Sequence, residues 1–158
     1  MLIEALHFPN LVVTQTLSKA YAMAGIRLGI CYASPEIITI LNTIKPPYNI
    51  NELTQKKAIE LLNIKDLASN QIHDILKERT KLMIELKNIN FVSKIYPSDA
   101  NFILAKVDDA NKRYTQLIEK GIVIRNRTTQ VGCENCLRFT VGTSEENEKL
   151  IKTLKDLK

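Results

Sequence analysis

Aromatic residues are scarce in this chain of 158 residues, at 6% of the sequence, and tryptophan is absent. Proteins that bind single-stranded nucleic acid combine a concentrated basic patch with aromatic side chains on which bases stack. The net charge here is only +5. Much of it lies at helical spacing near the C-terminus, at Lys149, Lys152, Lys155 and Lys158. Such spacing is typical of a solvated helix face, so we expect no nucleic-acid partner.

Cysteine is also scarce, with three residues. Cys133 and Cys136 have the Cys-x-x-Cys spacing found in zinc sites and redox pairs. Tetrahedral zinc needs four ligands, and the remaining candidates lie scattered without a second pair, at Cys31, His7 and His73. A redox motif normally opens a helix, whereas Cys136 leads into a β-rich run. We therefore expect reduced thiols in a turn and no metal site.

Long apolar runs are missing. No stretch approaches the length of a membrane-spanning helix, and the N-terminus lacks the charged and apolar regions of a signal peptide. The contents of 45% hydrophobic and 25% charged residues are ordinary for a soluble globular protein. We expect a cytoplasmic protein with no membrane partner.

Hydrophobic periodicity predicts an α/β chain. Short buried strands are expected at 11–13 and 30–33. Helices are expected from Pro35 to Pro46, at 51–63 with Asn51 as N-cap, and at 66–88, where a long apolar stripe repeats. Further strands are expected at 91–96, 101–107, 122–125 and 137–141. A helix at 109–120 ends at Gly121, and the last helix begins at Ser144 with a capping box from Thr143 and Glu146. This β-β-α-β-β-α order predicts a compact α/β sandwich domain.

The lysine at position 19 stands in an unusual setting. The hydroxyl residues Thr16 and Ser18 precede it, and small residues fill positions 20, 22, 24 and 25. Arg27 follows before the second strand. An amine can condense with an aldehyde as a Schiff base, while hydroxyls and a guanidinium suit a phosphate. The segment therefore predicts a site for a flat, phosphorylated aldehyde.

Four segments in order resemble the fold-type-I aminotransferases that use pyridoxal phosphate, and most closely their histidinol-phosphate branch. The segments are 18–29, 45–51, 98–104, and 121–125 followed by 137–142. The resemblance implies part of the large cofactor domain at 1–50, connecting helices at 51–90 and the small α/β domain at 91–158. Family members carry roughly as much chain again before the lysine, so we expect the C-terminal half of such an enzyme.

The resemblance also implies roles for the Lys19 segment. Lys19 would bind pyridoxal 5'-phosphate and relay the proton of the substrate's α-carbon. Arg27, Thr16 and Ser18 would contact the cofactor phosphate.

Arg138 is the main candidate for binding substrate. Strand alternation places it opposite the apolar residues Leu137, Phe139 and Val141. By resemblance it clamps the substrate's α-carboxylate, which a guanidinium fork can hold with two hydrogen bonds.

The remaining candidates for binding substrate follow from the resemblance too. Arg125 would hold the far end of the substrate, a phosphate in this branch, and Arg127 could share or replace that role. Asn101 would reach the substrate or its carboxylate from a strand start, and Tyr48 and Asn49 would line the site entrance.

The implied reaction interconverts histidinol phosphate and imidazole acetol phosphate, with 2-oxoglutarate and glutamate as the amino partners, in a homodimer. Alternatives within the fold are a threonine-phosphate decarboxylase and an aromatic amino-acid aminotransferase. An alternative of another class is a non-catalytic fragment that lacks the other part of the site.

Overall fold

The computed structural model describes residues 7–157, and the chain forms two compact units. The first unit ends at Ile72 and the second begins at His73. Helices and antiparallel strands occur in both, which confirms the predicted α/β class. No helix in the described part of the chain has the length and apolar character needed to cross a membrane.

The first unit contains a two-stranded antiparallel sheet and helices. Strand β1 (Val13–Thr16) pairs with β2 (Gly29–Tyr32), so the chain between them forms a closed loop around Lys19. Helices α1 (Pro35–Ile44) and α2 (Glu52–Leu62) follow. Helix α3 (Leu67–Lys87) begins in this unit and continues into the second. Asn51 caps α2 as predicted, since its side chain accepts a hydrogen bond from the Thr54 N–H at 2.8 Å.

The two short strands differ from the prediction in position and in burial. The predicted strand at 11–13 is instead β1, because pairing with β2 extends to Thr16 while the Leu11 N–H donates to the Phe8 carbonyl in a turn. Side chains along β1 alternate between half-buried and exposed, and those of β2 are half-buried or exposed. The expectation of buried strands was therefore wrong.

The second unit is built on a four-stranded antiparallel sheet with the order β3-β4-β6-β5. Its elements are β3 (Val92–Ile95), β4 (Phe102–Val107), α4 (Ala110–Glu119), β5 (Arg125–Asn126), β6 (Cys136–Thr140) and α5 (Ser144–Asp156). This order confirms the predicted β-β-α-β-β-α arrangement. The capping box is also confirmed, because Thr143 and Glu146 exchange hydrogen bonds at the start of α5.

Strand β5 is shorter than the predicted strand at 122–125. The Ile122 N–H donates to the Leu117 carbonyl at the end of α4, and Gly121 takes the positive φ of a helix C-cap. Only Arg125 and Asn126 then remain to pair with β6. The predicted strand began too early because the helix ending uses the backbone of its first residues.

The core of the second unit lies on one face of the sheet. Ile103, Ala105, Leu137 and Phe139 are fully buried there, packed with apolar side chains from α3, α4 and α5. Because strand side chains alternate between faces, the intervening residues occupy the opposite face. We call this the outer face of the sheet; it carries Lys94, Phe102, Leu104, Lys106, Arg125 and Arg138.

Candidate active site

Two buried side chains hold the loop that carries Lys19. Leu17 and Met23 are nearly inaccessible to solvent, and the Met23 N–H donates to the Leu17 carbonyl at 2.9 Å. The Leu17 N–H in turn donates to the Leu28 carbonyl at 3.3 Å. Lys19 lies between these two anchors and is exposed. The loop therefore presents the amine from a closed, hydrogen-bonded frame.

The two hydroxyl residues before Lys19 are linked to each other. The Ser18 N–H donates to Thr16 Oγ1 at 3.1 Å, which organises the backbone where the loop leaves β1. Because a hydroxyl both donates and accepts, the Thr16 hydroxyl retains its hydrogen for another acceptor. Ser18 is half-buried and Thr16 is exposed.

Arg27 closes the other side of the loop. Its backbone has a left-handed conformation with φ of 54°, and its Nη1 donates to the Ala24 carbonyl at 3.0 Å. The neighbouring Ile26 carbonyl accepts a hydrogen bond from Thr54 Oγ1 of α2 at 3.3 Å. These contacts fix the short 3-10 helix Ala24–Ile26 that precedes Arg27.

The loop has the donor set that a phosphorylated aldehyde requires. Within residues 7–157, neither Lys19 nor Arg27 forms an ion pair with a carboxylate. The loop between β1 and β2 thus carries two cations without an ion-pair partner, together with two hydroxyls. This arrangement suits a phosphate and a reactive carbonyl. The residues present fit pyridoxal phosphate.

Tyr48 and Asn49 lie in the turn between α1 and α2. Tyr48 has a positive φ of 58° and is 96% exposed, and Asn49 is exposed as well. The structure gives neither side chain a contact that would define a role, so their place at the site entrance stays a prediction.

Arg138 lies on the outer face of the sheet in the second unit. The core residues Leu137 and Phe139 flank it, which confirms the predicted alternation along β6. Its guanidinium carbon is 4.9 Å from the ring centre of Phe102, within the range of a cation–π contact. Its Nε is buried and has no hydrogen-bond partner.

Two further arginines lie near Arg138. Arg125 is its direct partner in the β5–β6 ladder, and the Arg127 N–H donates to the Cys136 carbonyl at 2.9 Å. Burial lowers the pKa of Arg138, and the positive charges of Arg127 and Arg125 lower this pKa further. Among the residues that the structure describes, no carboxylate forms an ion pair with any of the three. This cluster can hold an anion.

Asn101 precedes β4 and is exposed. Its carbonyl accepts a hydrogen bond from the Val141 N–H at 2.9 Å, which joins the strand start to the chain beyond β6. This contact uses the backbone only, and the substrate role of the amide side chain stays a prediction.

The sequence did not identify Phe102 as a neighbour of Arg138. Its position in a β-rich run was evident, but only the observed register of β4 against β6, with Phe102 opposite Thr140 and Leu104 opposite Arg138, brings the ring to the guanidinium. Arg127 was considered only as a substitute for Arg125. Its spacing of two residues from Arg125 was the available signal that both lie on one face.

The Cys-x-x-Cys segment forms a turn, as predicted. The Cys136 N–H donates to the Cys133 carbonyl at 2.9 Å, and both thiols are free. Burial raises the pKa of the Cys136 thiol. No group of three or more potential metal ligands occurs among the described histidine, cysteine, aspartate and glutamate residues.

Comparison with known proteins identifies the family. The model for aminotransferase class I and II matches residues 3–154. Two curated relatives called histidinol-phosphate aminotransferase, from Flavobacterium johnsoniae and Christiangramia forsetii, are 66% and 63% identical over 98% and 95% of this chain. The chain spans only 44% and 43% of their lengths. The crystal structure of the histidinol-phosphate aminotransferase from Clostridium acetobutylicum superposes with a TM-score of 0.88 at 28% identity, covering 99% of this chain and 48% of that one. This chain belongs to the aminotransferase class I and II family.

Proposed function

We propose that this chain is part of a pyridoxal-phosphate-dependent aminotransferase that interconverts histidinol phosphate and imidazole acetol phosphate, with 2-oxoglutarate and glutamate as amino partners. The observation that carries the proposal is the exposed Lys19 on a braced loop, with unpaired Arg27 in the same loop. The names of the two curated relatives support the choice of substrate.

Pyridoxal phosphate, when bound, supplies an aldehyde that combines with amines and a ring that withdraws electrons from the substrate's α-carbon. Lys19 Nζ is the amine that would hold the aldehyde. The Arg27 guanidinium and the hydroxyls of Thr16 and Ser18 would hold the phosphate. Arg27 is suited to this because its charge is permanent and its planar fork matches phosphate oxygens.

Lys19 would also move the proton on which transamination depends. A free Lys19 amine would take the proton from the substrate's α-carbon at Nζ and would then donate it to the carbon on the other side of the substrate nitrogen, as transamination requires. Only the unprotonated amine can accept that proton. The small side chains of Ala20 and Ala22 beside Lys19 would leave space for this movement.

The outer face of the sheet would bind the substrate. Arg138 would hold the α-carboxylate of glutamate, and Arg125 the phosphate of histidinol phosphate. Asn101, Tyr48 and Asn49 are each further candidates for contacting substrate, as the family resemblance implies. We further propose that the complete enzyme is a cytoplasmic homodimer, as expected for this family.

A substrate comparison tests the proposal. Activity is assayed in the presence of pyridoxal phosphate and 2-oxoglutarate. One sample contains this chain by itself, and the other contains it together with the part of the Flavobacterium johnsoniae enzyme that it does not match. Histidinol phosphate, threonine phosphate and phenylalanine are offered separately. We expect transamination of histidinol phosphate, lost in Lys19→Ala. Decarboxylation of threonine phosphate, conversion of phenylalanine alone, or undiminished turnover by Lys19→Ala would overturn the proposal.

A further inference from the structure

The outer face of the sheet carries one more cation than the proposed function uses. We infer that Arg127 is a third anion-binding side chain beside Arg125 and Arg138, and that the three together select a doubly charged phosphate over a singly charged carboxylate. This inference rests on the proposed function, which it deepens by assigning a residue that sets substrate specificity.

The β5–β6 register places Arg127 on the outer face. Arg125 pairs with Arg138 and Asn126 with Leu137, and the Arg127 N–H continues the ladder by donating to the Cys136 carbonyl. Side chains alternate along a strand, so residues 125 and 127 share a face. The Asn126 amide points the other way, since its Nδ2 donates to Asn111 Oδ1 of α4 at 2.8 Å.

The three guanidinium groups lack a counter-charge. Across residues 7–157, no carboxylate lies within ion-pair distance of any of them. The Nε of Arg138 is buried without an acceptor. Of its two cationic neighbours, Arg127 has the larger effect in lowering the pKa of Arg138, after burial itself. The buried donor of Arg138 is unfavourable without an acceptor, and an anion would supply one while offsetting the repulsion among the exposed Arg125, the half-buried Arg127 and Arg138.

Two lysines add positive charge to the same outer face of the sheet. Lys106 lies opposite Cys136 in the β4–β6 ladder and opposite Lys94 in the β3–β4 ladder. The Cys136 side chain lies between Lys106 and Arg138 on this face, and its thiol is buried with a raised pKa, so it adds no negative charge there. Positively charged side chains thus occur on all four strands of the sheet, which favours the ligand with the larger negative charge.

The number of charges decides which anion gains most from Arg127. One guanidinium fork matches one carboxylate, as the Arg138 assignment already requires. A phosphate monoester carries close to two charges above its second pKa of about 6 and offers three acceptor oxygens. A third guanidinium therefore adds more to phosphate binding than to carboxylate binding. Arg127 then acts as a residue that discriminates between the two.

Binding of inorganic phosphate and of acetate to the chain tests this inference. Each anion is titrated calorimetrically into the unaltered chain, into Arg127→Gln and into the control variant Lys152→Gln. The titrations are made at about pH 8, where phosphate is a dianion. Lys152→Gln removes an equal charge from the exposed surface of α5. We expect Arg127→Gln to weaken the affinity for phosphate about ten-fold and the affinity for acetate less than about two-fold. Lys152→Gln should change neither affinity. Arg127→Lys should recover part of the phosphate affinity.

Unchanged phosphate affinity in Arg127→Gln, an equal loss with Lys152→Gln, or no phosphate binding by the unaltered chain would each overturn the inference. Circular dichroism of each variant confirms that the fold is retained. Phosphate binding needs neither cofactor nor turnover, so its failure is distinguishable from failure of the proposed function. A chain that transaminates histidinol phosphate with an unaffected KM in Arg127→Gln would retain the function and lose the inference.

Discussion

Arg125 and Arg138 lie directly opposite each other in the antiparallel register of β5 and β6. Directly opposed residues have Cβ atoms about 4.5–5.5 Å apart, where like charges destabilise a sheet. No carboxylate among residues 7–157 neutralises either charge. Neither charge has a carboxylate partner within the described chain, so an anion bound between the two side chains would relieve their repulsion.

Phosphate should therefore stabilise the second unit through the cluster of Arg125, Arg127 and Arg138. A ligand that binds only the folded state raises stability by RT ln(1 + [L]/Kd), about 2.7 kcal/mol at a concentration of 100 Kd. We expect phosphate to raise the melting temperature of the unaltered chain by more than that of Arg138→Gln, which keeps Arg125 and Arg127 but loses one of the three charges. Without phosphate, Arg138→Gln should be at least as stable as the parent, because like-charge repulsion is relieved. An equal phosphate response in both proteins would contradict this site.

The ion pair of Arg113 and Asp108 should make stability depend on pH. Arg113 Nη2 lies 2.7 Å from Asp108 Oδ2, and this hydrogen-bonded arginine holds the pKa of Asp108 below its usual value. The folded-state pKa is depressed, so the contribution is present above the unfolded value of about 3.9 and is lost as pH falls through the folded-state pKa. Urea unfolding measures the free energy of unfolding at pH 7 and through the acid range. As the pH falls, this free energy should decrease less in Asp108→Asn than in the parent. Parallel pH profiles would contradict the assignment.

Arg113 should matter more to stability than Asp108. Its side chain is buried and stacks on the Phe91 ring, with 4.1 Å between the guanidinium carbon and the ring centre, whereas the Asp108 side chain is 47% exposed. We expect Arg113→Ala to lower the free energy of unfolding by about 2 kcal/mol, through lost packing and cation–π contact. Because solvent screens the exposed carboxylate, we expect Asp108→Asn to lower the free energy of unfolding by less than about 1 kcal/mol. Denaturant midpoints of the two variants give the comparison, and the reverse order would refute it.

The capping box at the start of α5 should contribute measurably to stability. The Glu146 N–H donates to Thr143 Oγ1 at 3.3 Å, and the Thr143 N–H donates to Glu146 Oε2 at 2.8 Å. Thr143→Ala removes the cap acceptor and should cost about 1 kcal/mol of unfolding free energy. Thr143→Ser keeps the acceptor and serves as the matched control. Equal denaturant midpoints for Ala and Ser would show that the cap contributes nothing.

The two thiols of the Cys-x-x-Cys turn should react at different rates. Cys133 is half-buried, whereas Cys136 is fully buried and burial raises its pKa. Because the thiolate is the reactive form, an alkylating reagent on the folded protein should modify Cys133 well before Cys136. Peptide mass spectrometry over a time course measures both rates, and full denaturation should remove the difference.

Local sequence signals predicted most of the helices and the order of elements. The apolar stripe of α3, the Asn51 cap and the Thr143 capping box are all short-range features, and the structure retains them. Burial of the first two strands was not predicted correctly, because Leu11 and Val12 resemble a core strand while pairing is carried by the more polar 13–16. The neighbours of Arg138 required the β4–β6 register, a long-range property that periodicity along one strand does not contain.

Covalent labelling of Lys19 tests the central claim most directly. The chain is incubated with pyridoxal phosphate, reduced with borohydride and digested, and each lysine is examined by mass spectrometry for an attached pyridoxyl group. The account predicts preferential labelling of Lys19 at substoichiometric cofactor, suppressed when Arg27 is replaced by Gln. Labelling spread evenly over the exposed lysines, with no preference for Lys19, would contradict the account.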